Sequence, residues 1–469
     1  MVIFFVAFAC LIAGCSKKPS DPVDIPTKAF DLYFSRPWES DTVFEMFKAV
    51  VEADTNIDFV EFSFGNVTVV DSTKPYVASY SVSNYSPGAY RVRAQGCLAA
   101  ECESTEVDII ISSALCDSSA PVILNGLTIP SDRVYRSESG CVLGLYLNSM
   151  GLSDPNCLSG IEAYSNTLKW LYLNDNELSS LNLQPLQGFR SLELLSLENN
   201  TIGSIDLSPM ADLSSFEVLN ISNNRLNTIN LHPIATCPKL SDLRLENNSL
   251  SSALFSGLAG CTELKYLYLK NNNFTTINTN YLANSNKLVE LDLRDNQIAT
   301  IDLSGLSMHT RLERLLLSGN SLGGIDLEGI ASCISLVEID LGYNSLTNID
   351  LAPIENLVQL QVLSFWVNGL MRIDLSPLSA CSDLRELYMS RNLFEEISLE
   401  ALEDCTELRK LHIGANYLRE IDLEPLIELP RLEELWINYN YFDQITCGPI
   451  CDFIDLRATV LVVVECSCE

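Results

Sequence analysis

Histidine and basic side chains are scarce in this chain. Its 469 residues include three histidines, and 29 Lys and Arg stand against 61 Asp and Glu, which leaves a formal net charge of -32. A surface with this charge repels nucleic acid phosphates, so the composition excludes a nucleic-acid-binding protein. The histidines, His232, His309 and His412, have no spacing typical of a metal site, and we predict neither a metal nor a cofactor.

Catalytic motifs and long apolar runs are missing as well. The sequence holds no GxSxG elbow, HExxH pair or GxxxxGK phosphate loop. The apolar stretch at residues 1–15 is too short to predict a membrane-spanning helix, and the late run from Val460 to Val464 is predicted to be a buried strand. These absences favour a protein that is not an enzyme.

The stretch at residues 1–15, MVIFFVAFACLIAGC, ends in small residues before Cys15. Its last residues, LIAGC, resemble a bacterial lipobox, which implies a signal peptide cut before Cys15 and a lipid anchor on that cysteine. No Lys or Arg precedes the apolar run, so a plain signal peptide with a chance cysteine is the alternative. Residues 16–28 are polar and rich in proline, and we predict a tether.

One unit of 24 residues is repeated along most of the chain. Each unit has the frame LxxLxLxxNxL, as in Leu168 to Leu178, and its LxL part predicts a strand whose leucines point inward. Parallel stacking of such strands gives one continuous leucine core. The asparagine is predicted to bond backbone groups in its own bend and in the next coil. The twelve ladder asparagines are Asn176, Asn200, Asn224, Asn248, Asn272, Asn296, Asn320, Asn344, Asn368, Asn392, Asn416 and Asn440.

The second half of each unit reads IDLxPL. Ser208 before Pro209, and Ser376 before Pro377, predict an N-cap and a short helix or 3₁₀ turn. Together the frames resemble the leucine-rich repeat family over residues 141–446, which implies an α/β solenoid, curved, with a parallel sheet on the concave side. Residues 114–167 are predicted to hold a cap and a degenerate first repeat, residues 168–446 the regular repeats, and residues 447–469 a Cys-rich cap.

Residues 29–113 differ in character, with alternating Val, Tyr, Phe and Thr broken by Asn, Gly and Pro. The segments Val60 to Phe64, Val70 to Tyr76 and Ser86 to Arg91 resemble bacterial Ig-like domains, which implies a β-sandwich that acts as a spacer.

The cysteines fall into two groups. Five lie eleven residues before a ladder asparagine and are predicted to be core residues: Cys237, Cys261, Cys333, Cys381 and Cys405. Eight lie outside the regular repeats and are disulfide candidates: Cys97, Cys102, Cys116, Cys141, Cys447, Cys451, Cys466 and Cys468. Cys97 with Cys102 predicts a local bridge, and the others predict disulfide-bonded caps, with zinc at the late cysteines as the alternative.

Residues two, four and six before each asparagine are predicted to face the concave surface, because they alternate with the buried leucines. Exposed aromatic side chains are typical binding anchors, although cross-strand stacking for stability is the alternative. The acidic residues favour a basic polypeptide as partner, and a glycan is the other reading. The predicted ligand-binding residues are Trp170, Tyr172, Arg244, Tyr266, Tyr268, Asp292, Asp340, Trp366, Tyr388, His412 and Trp436, of which Trp366, Tyr388, His412 and Trp436 are expected on four consecutive strands as one patch.

A second column of like residues, the Asp ladder, comes from IDL in four consecutive units: Asp302, Asp326, Asp350 and Asp374. Stacked carboxylates repel unless each accepts hydrogen bonds or a cation intervenes. Backbone N–H groups of the following turn are the predicted donors, and calcium is the alternative.

The sequence thus favours a non-catalytic binding protein of the bacterial cell envelope or surface, lipid-anchored or otherwise secreted, with a protein partner on the concave face. A structural or calcium-dependent adhesive protein is the runner-up. A polymer hydrolase is more distant, because an enzyme would interrupt the register with insertions and none follows residue 168. The oligomeric state has no signal in the sequence.

Overall fold

A computed structural model describes the protein over residues 32–36, 41–43, 46–53, 59–64, 67–72, 76–81, 88–98, 101–111, 119–442, 444–456 and 460–464. The predicted signal peptide with Cys15, the tether, Cys116, Cys466, Cys468 and the side chain of Cys447 lie outside the described residues. The chain forms two compact units, one of Met1–Pro121 with Tyr135–Leu143 and one of Val122–Val134 with Gly144–Glu469.

Strands of the first unit form two sheets. One is antiparallel, in the order Leu32–Arg36, Met46–Ala53, Tyr76–Ser81. The other has the order Asp41–Val43, Glu101–Ile111, Gly88–Leu98, Phe59–Phe64, Val67–Asp71, and all its pairs are antiparallel except the first. Alternate residues Val60, Phe62 and Phe64 are fully buried, as a half-buried strand requires. The register sets Cys97 opposite Cys102; the Ig-like assignment stays a prediction.

The second unit is built on a long parallel sheet, as the repeat predicts. Most of its strands are three residues long, and the middle residue of each strand from Trp170–Tyr172 to Glu434–Trp436, such as Leu171 or Leu387, is buried in the leucine core. The strands in order are Val142–Tyr146, Trp170–Tyr172, Leu194–Ser196, Val218–Asn220, Asp242–Arg244, Tyr266–Tyr268, Glu290–Asp292, Arg314–Leu316, Glu338–Asp340, Val362–Ser364, Glu386–Tyr388, Lys410–His412, Glu434–Trp436 and Leu461–Val463. Before them lie a hairpin, Val122–Leu124 with Leu127–Ile129, a 3₁₀ helix, Ser131–Arg133, and the short strand Val134–Arg136.

The ladder asparagines join each coil to the coil before it. In the buried Asn272, Nδ2 donates to the carbonyl oxygens of Leu269 at 3.1 Å and Leu245 at 3.0 Å, and Oδ1 accepts the N–H of Leu250 at 3.0 Å. Leu245 and Leu250 belong to the preceding repeat, so the predicted bond to the next coil was wrong in direction. The asparagine lies in the turn after its strand, and there the backbone groups of the preceding repeat are within reach of its side chain.

Each repeat returns through a 3₁₀ helix rather than an α-helix. These helices are Ile161–Tyr164, Gln184–Leu186, Ser208–Met210, His232–Thr236, Phe255–Gly260, Thr279–Leu282, Ser304–Leu306, Glu328–Ile330, Ala352–Ile354, Ser376–Ala380, Glu400–Leu402 and Glu424–Leu426. Ser208 and Ser376 are the first residues of their helices and not N-caps, which corrects the prediction. The acid two residues earlier does the capping instead, because Asp206 and Asp374 each accept an N–H from the serine at 2.9 Å.

The Asp ladder is therefore hydrogen-bonded within the chain. Oδ1 of Asp302, Asp326 and Asp350 accepts the N–H two residues on at 2.9 Å, as Asp374 does. These bonds hold the pKa of the Asp302 and Asp374 carboxyl groups below the ordinary value. Two short parallel pairs also form near this column, Thr228–Asn230 with Ser252–Leu254 and Thr276–Asn278 with Thr300–Asp302.

The end of the chain adds an α-helix, Gln444–Leu456, and the last strand, Leu461–Val463. This strand pairs in parallel with Glu434–Trp436, and Leu461 is exposed, so the predicted buried strand is in fact the final strand of the sheet. Within the described part of the chain, no helix is both long and apolar enough to cross a membrane.

The five cysteines predicted in the core are buried, and their thiols are free. Burial raises their pKa to about 11 or 12. Cys157, for which we predict no role from the sequence, is buried and free as well. Cys141 and Cys451 are disulfide-bonded, and the pairing of the remaining candidates stays a prediction.

Candidate binding site on the parallel sheet

The first and third residues of each short strand lie on the side of the sheet away from the leucine core, here called the open sheet face. This follows from strand alternation, since each middle residue is buried. Ten of the eleven predicted ligand-binding residues occupy these strand positions. Trp366 does not, because its strand, Val362–Ser364, ends two residues earlier. The prediction that Trp366, Tyr388, His412 and Trp436 lie on four consecutive strands was therefore wrong for Trp366.

Near the start of the sheet the predicted residues are held by partners within the chain. The Tyr172 ring stacks on Tyr146, with centroids 5.1 Å apart. Trp170 Nε1 donates to Glu193 Oε2 at 3.1 Å. Burial raises the pKa of Tyr172. These contacts are what cross-strand stabilisation predicts, and they engage the Tyr172 ring and the Trp170 indole N–H within the chain.

In the middle of the sheet the predicted residues belong to charge networks. Arg244 is bound to Asp242 at 2.7 Å and lies 5.3 Å from the Tyr268 ring centroid. The Tyr268 ring lies 6.3 Å from that of Tyr266. Burial, and then the charge of Glu290, raise the pKa of Tyr268 to about 12.

Asp292 is 3% exposed, and its carboxylate accepts two bonds from the Arg294 guanidinium, at 2.9 and 2.6 Å. The predicted ligand contact at Asp292 is therefore covered and neutralised by a neighbour in the next exposed position. Sequence alternation alone assigns Asp292 to the open face, but it says nothing about which side chain folds over it.

Toward the end of the sheet three aromatic rings pack in a row. Tyr388 meets His412 edge-on at 4.9 Å between centroids, and His412 stacks on Trp436 at 4.2 Å with the planes 4° apart. The parallel register sets these residues side by side on neighbouring strands. Trp436 keeps 38% of its surface exposed, so the row presents a ring to solvent.

Trp366 lies beside this row and contacts Tyr343 edge-on at 5.2 Å. Small residues, Gly342, Ser364, Ser390 and Gly414, occupy positions between the large rings. The result is a groove of about 700 Å³, here called the aromatic groove, lined by Trp366, Tyr388, His412, Trp436, Tyr343 and Tyr439 together with those small residues. Four of the predicted ligand-binding aromatic residues thus share one concavity, and so does Asp340.

The charges beside the rings are arranged in pairs. The Tyr388 hydroxyl donates to Glu386 at 2.5 Å, and Lys410 lies 3.1 Å from the same carboxylate. Burial by itself would raise the pKa of Glu386, but the hydrogen bonds from Tyr388 and Lys410 outweigh it and leave that pKa below its ordinary value. Burial and the bond to Glu386 raise the pKa of Tyr388. Tyr388 is thus a neutral donor fixed in place.

Two polar atoms that line the groove have no hydrogen-bond partner among the described residues, His412 Nε2 and Ser390 Oγ. His412 Nε2 lies 3.5 Å from a Glu434 oxygen, which is too long for a well-formed bond. Burial lowers the pKa of His412 more than Glu434 raises it, so the ring is neutral at pH 7. Both atoms are buried, and unpaired buried polar atoms are costly in a folded chain.

The residue before each ladder asparagine was missed by the sequence reasoning. This position has positive φ in every repeat, and up to residue 319 it holds the types that tolerate it: Asp175, Asn199, Asn223, Asn247, Asn271, Asp295 and Gly319. From residue 343 the column changes to Tyr343, Val367, Arg391, Ala415 and Tyr439. Four of these five line the aromatic groove. Five successive turns at the groove therefore hold residue types that are strained at positive φ. The change of residue type before the ladder asparagine is visible in the sequence.

No cluster of three or more His, Cys, Asp or Glu suited to a metal occurs within the described ranges. The Asp ladder is not such a cluster, because each Oδ1 already accepts a backbone N–H.

Comparison with known families and structures finds leucine-rich repeats. The leucine rich repeat model matches residues 190–250 and 252–304, and the BspA type leucine rich repeat region matches residues 319–423. No curated protein matches the sequence.

Similar solved structures share the fold. An internalin, InlF of Listeria monocytogenes, is 25% identical with a TM-score of 0.56, covering 70% of this chain and 87% of its own. The functional domain of InlJ of Listeria monocytogenes, which includes a cysteine ladder, is 22% identical with a TM-score of 0.52 and covers 69% of each chain. The Toll–Spätzle complex of Drosophila matches at 22% identity and a TM-score of 0.52, over 65% of this chain and 45% of that one. Leucine-rich repeat families are thus found in this chain, and its second unit has their solenoid-like fold with a parallel sheet.

Proposed function

We propose that the protein is a non-catalytic binding protein of the bacterial cell surface or envelope, and that it holds a protein partner in the aromatic groove. The observation that carries this proposal is the exposed ring row Tyr388, His412 and Trp436 beside Trp366. Rings of this kind contribute large contact area at low entropic cost, and they are enriched among the residues that dominate binding energy.

The groove is favoured over the other predicted residues by its exposed rings. Trp170, Arg244 and Asp292 are already engaged by Glu193, Asp242 and Arg294. The groove instead offers the exposed rings of Trp366 and Trp436 and the strained turns at its edge.

The placement at a bacterial surface is supported by the BspA type repeats and by the internalin, to which this chain is similar. The Toll protein in its complex binds Spätzle, which makes a protein partner the first candidate here. We further propose the lipid anchor at Cys15, the Ig-like spacer over residues 29–113 and the disulfide-bonded caps. Metabolic labelling with a fatty acid tests the anchor, and label that persists in Cys15→Ala would remove it.

The binding proposal is tested by capture of partners from extracts with the full chain and two variants, Trp366→Ala and Trp436→Ala. Loss of a central ring costs ~2 kcal/mol or more at a binding hot spot, which is about a thirtyfold loss of affinity. We expect each variant to lose the captured partner while its melting temperature stays close to that of the unchanged protein, since both rings are partly exposed.

Trp170→Ala is the matched control, because Trp170 lies on the same open sheet face outside the groove. It should keep the partner. Capture that survives both groove substitutions, or that is lost equally in Trp170→Ala, would remove the aromatic groove from consideration.

A further inference from the structure

We propose that the aromatic groove receives one lysine or arginine side chain of its partner at a notch above Gly342, here called the cation notch. The notch is formed by Asp340, Gly342, Tyr343, Ser364 and Trp366, which all line the groove. This inference rests on the proposed function, because it names the chemistry of the same partner at the same site.

Three oxygen atoms converge on the notch. A Cβ atom at Gly342 would lie 3.2 Å from Asp340 Oδ1, 3.2 Å from Ser364 Oγ and 3.2 Å from the carbonyl oxygen of Trp366. A methyl group at this point would be in tight contact with all three oxygens, so glycine leaves them uncovered toward the groove. An ammonium group has three donors and no acceptor, and a guanidinium has five donors, so either one matches a site made of acceptors.

Asp340 differs from the other carboxylates of the groove in having no cation of its own. Glu338 is bound by Arg314 at 2.9 Å and Glu386 by Lys410 at 3.1 Å. Asp340 accepts the N–H of Gly342 at 3.1 Å, and it has no ion-pair partner in the part of the chain that the structure describes. Arg294 feels the charge of Asp340 but is ion-paired with Asp292, so the half-buried Asp340 carboxylate still gains from a cation in direct contact.

The rings beside the notch favour the same ligand. Trp366 is 39% exposed and Tyr343 is 49% exposed, and their rings meet at 5.2 Å. Aromatic faces of this kind attract lysine and arginine groups. Arg391 lines the groove two repeats further on, and its positive charge opposes a second cation nearby. The groove therefore suits one cationic side chain rather than a run of them.

The experiment uses the full chain and a probe peptide that carries one lysine flanked by serines, blocked at both ends. The same peptide with the lysine side chain acetylated removes the charge and keeps the length. Asp340→Asn should weaken binding of the lysine peptide at least about tenfold and should not change binding of the acetylated peptide. Gly342→Ala should weaken it as well, because its Cβ occupies the notch and Gly342 does not have positive φ.

Two matched controls separate the notch from general charge and general glycine effects. Asp350→Asn removes the same charge, and Asp350 also accepts the N–H two residues on, at 2.9 Å. Gly324→Ala adds a methyl group where nothing lies within 4 Å. Both should bind the lysine peptide within about twofold of the unchanged protein, which is ~0.4 kcal/mol.

Equal loss in Asp340→Asn and Asp350→Asn would overturn the cation notch, and so would equal binding of the acetylated and free peptides. Failure of the proposed function would appear differently, because it is judged by capture of a natural partner in Trp366→Ala and Trp436→Ala. If the lysine peptide binds through Asp340 but both tryptophan variants still capture the natural partner, the cation notch is supported and the groove is rejected as the site of that partner.

Discussion

His309 gives this solenoid a pH-dependent stability that one substitution should remove. Its side chain is fully buried, Nε2 lies 3.1 Å from the carbonyl oxygen of Leu282, and Nδ1 has no partner in the described structure. Burial lowers the pKa of His309 below its ordinary value of 6.5. The neutral ring therefore donates to Leu282, and a second proton would place an uncompensated charge in the core.

The sign of the effect follows from proton linkage. As the pH falls below 6.5, the unfolded chain binds a proton at His309 before the folded chain does. The free energy of unfolding is therefore undiminished above pH 6.5, and it falls as the pH is lowered toward the pKa of His309 in the folded state. In that interval one such histidine costs up to ~1.4 kcal/mol of unfolding free energy per pH unit.

The other repeats supply the matched substitution, His309→Cys. Cys333 occupies the equivalent position one repeat later, and its thiol bonds the carbonyl oxygen of Leu306 at 3.5 Å, again 27 residues back. A cysteine at 309 can bond Leu282 in the same way, removes the unpaired Nδ1 and does not titrate near neutral pH. The smaller side chain leaves a cavity that lowers the unfolding free energy by on the order of 1 kcal/mol. Removal of the unpaired Nδ1 acceptor raises it by a similar amount.

Urea unfolding followed by tryptophan fluorescence and circular dichroism measures the difference. At pH 7.5 the two proteins should agree within ~1.5 kcal/mol. Between pH 6 and pH 5 the unchanged protein should lose more unfolding free energy than His309→Cys, by at most ~1.4 kcal/mol, while His412, whose pKa burial also lowers, contributes equally to both. Identical pH dependence of the two unfolding free energies would refute the assignment of the effect to His309.

Three further outcomes are expected. Val367→Asn should stabilise the protein by about 1 kcal/mol, because Val367 has φ 59° and asparagine tolerates positive φ better than valine. Val358→Asn, at an exposed position without positive φ, should give no gain, and equal effects of the two substitutions in urea unfolding would contradict backbone strain at Val367. Asn272→Ala should cost ~1–3 kcal/mol, since it leaves the N–H of Leu250 unpaired while the carbonyl oxygens of Leu245 and Leu269 keep Asn248 and Asn296 as donors, and the exposed Asn273→Ala should cost under ~0.5 kcal/mol in the same assay. Removal of calcium by a chelator should leave the melting temperature unchanged, because backbone N–H groups already bond the Asp ladder; a fall would restore the calcium alternative.

Much of the fold could be predicted because every repeat has the same apolar spacing and therefore forms the same strand and turn. The strand at Trp170–Tyr172 and the strand at Glu434–Trp436 follow from the same LxL alternation, and the ladder asparagines fix the register between them. The buried cysteines could be placed by counting back from those asparagines, and the structure confirms that they are core residues. The Ser208 cap failed because IDLxPL contains two side chains that can cap, and the local pattern does not decide between Asp206 and Ser208.

The candidate site was predictable only in part. Alternation assigned Tyr388, His412 and Trp436 to one face, and the structure brings them into a row. It could not show that Arg294 covers Asp292, or that Tyr343 joins Trp366 beyond the strand end. Tyr343 and Trp366 lie in different repeats, and Arg294 is two residues from Asp292, but in both cases the side chains adopt one of several rotamers according to their neighbours.

The sequence by itself determined the repeat length, the leucine core, the asparagine ladder and the strongly acidic surface, because each depends on residue type and a fixed spacing. The tertiary structure decided which charges are paired, which rings enclose a groove and where a notch opens above Gly342. Most of those features depend on side chains of different repeats that meet only when the coils stack, so the repeat length brings the side chains near one another and packing decides which contacts form.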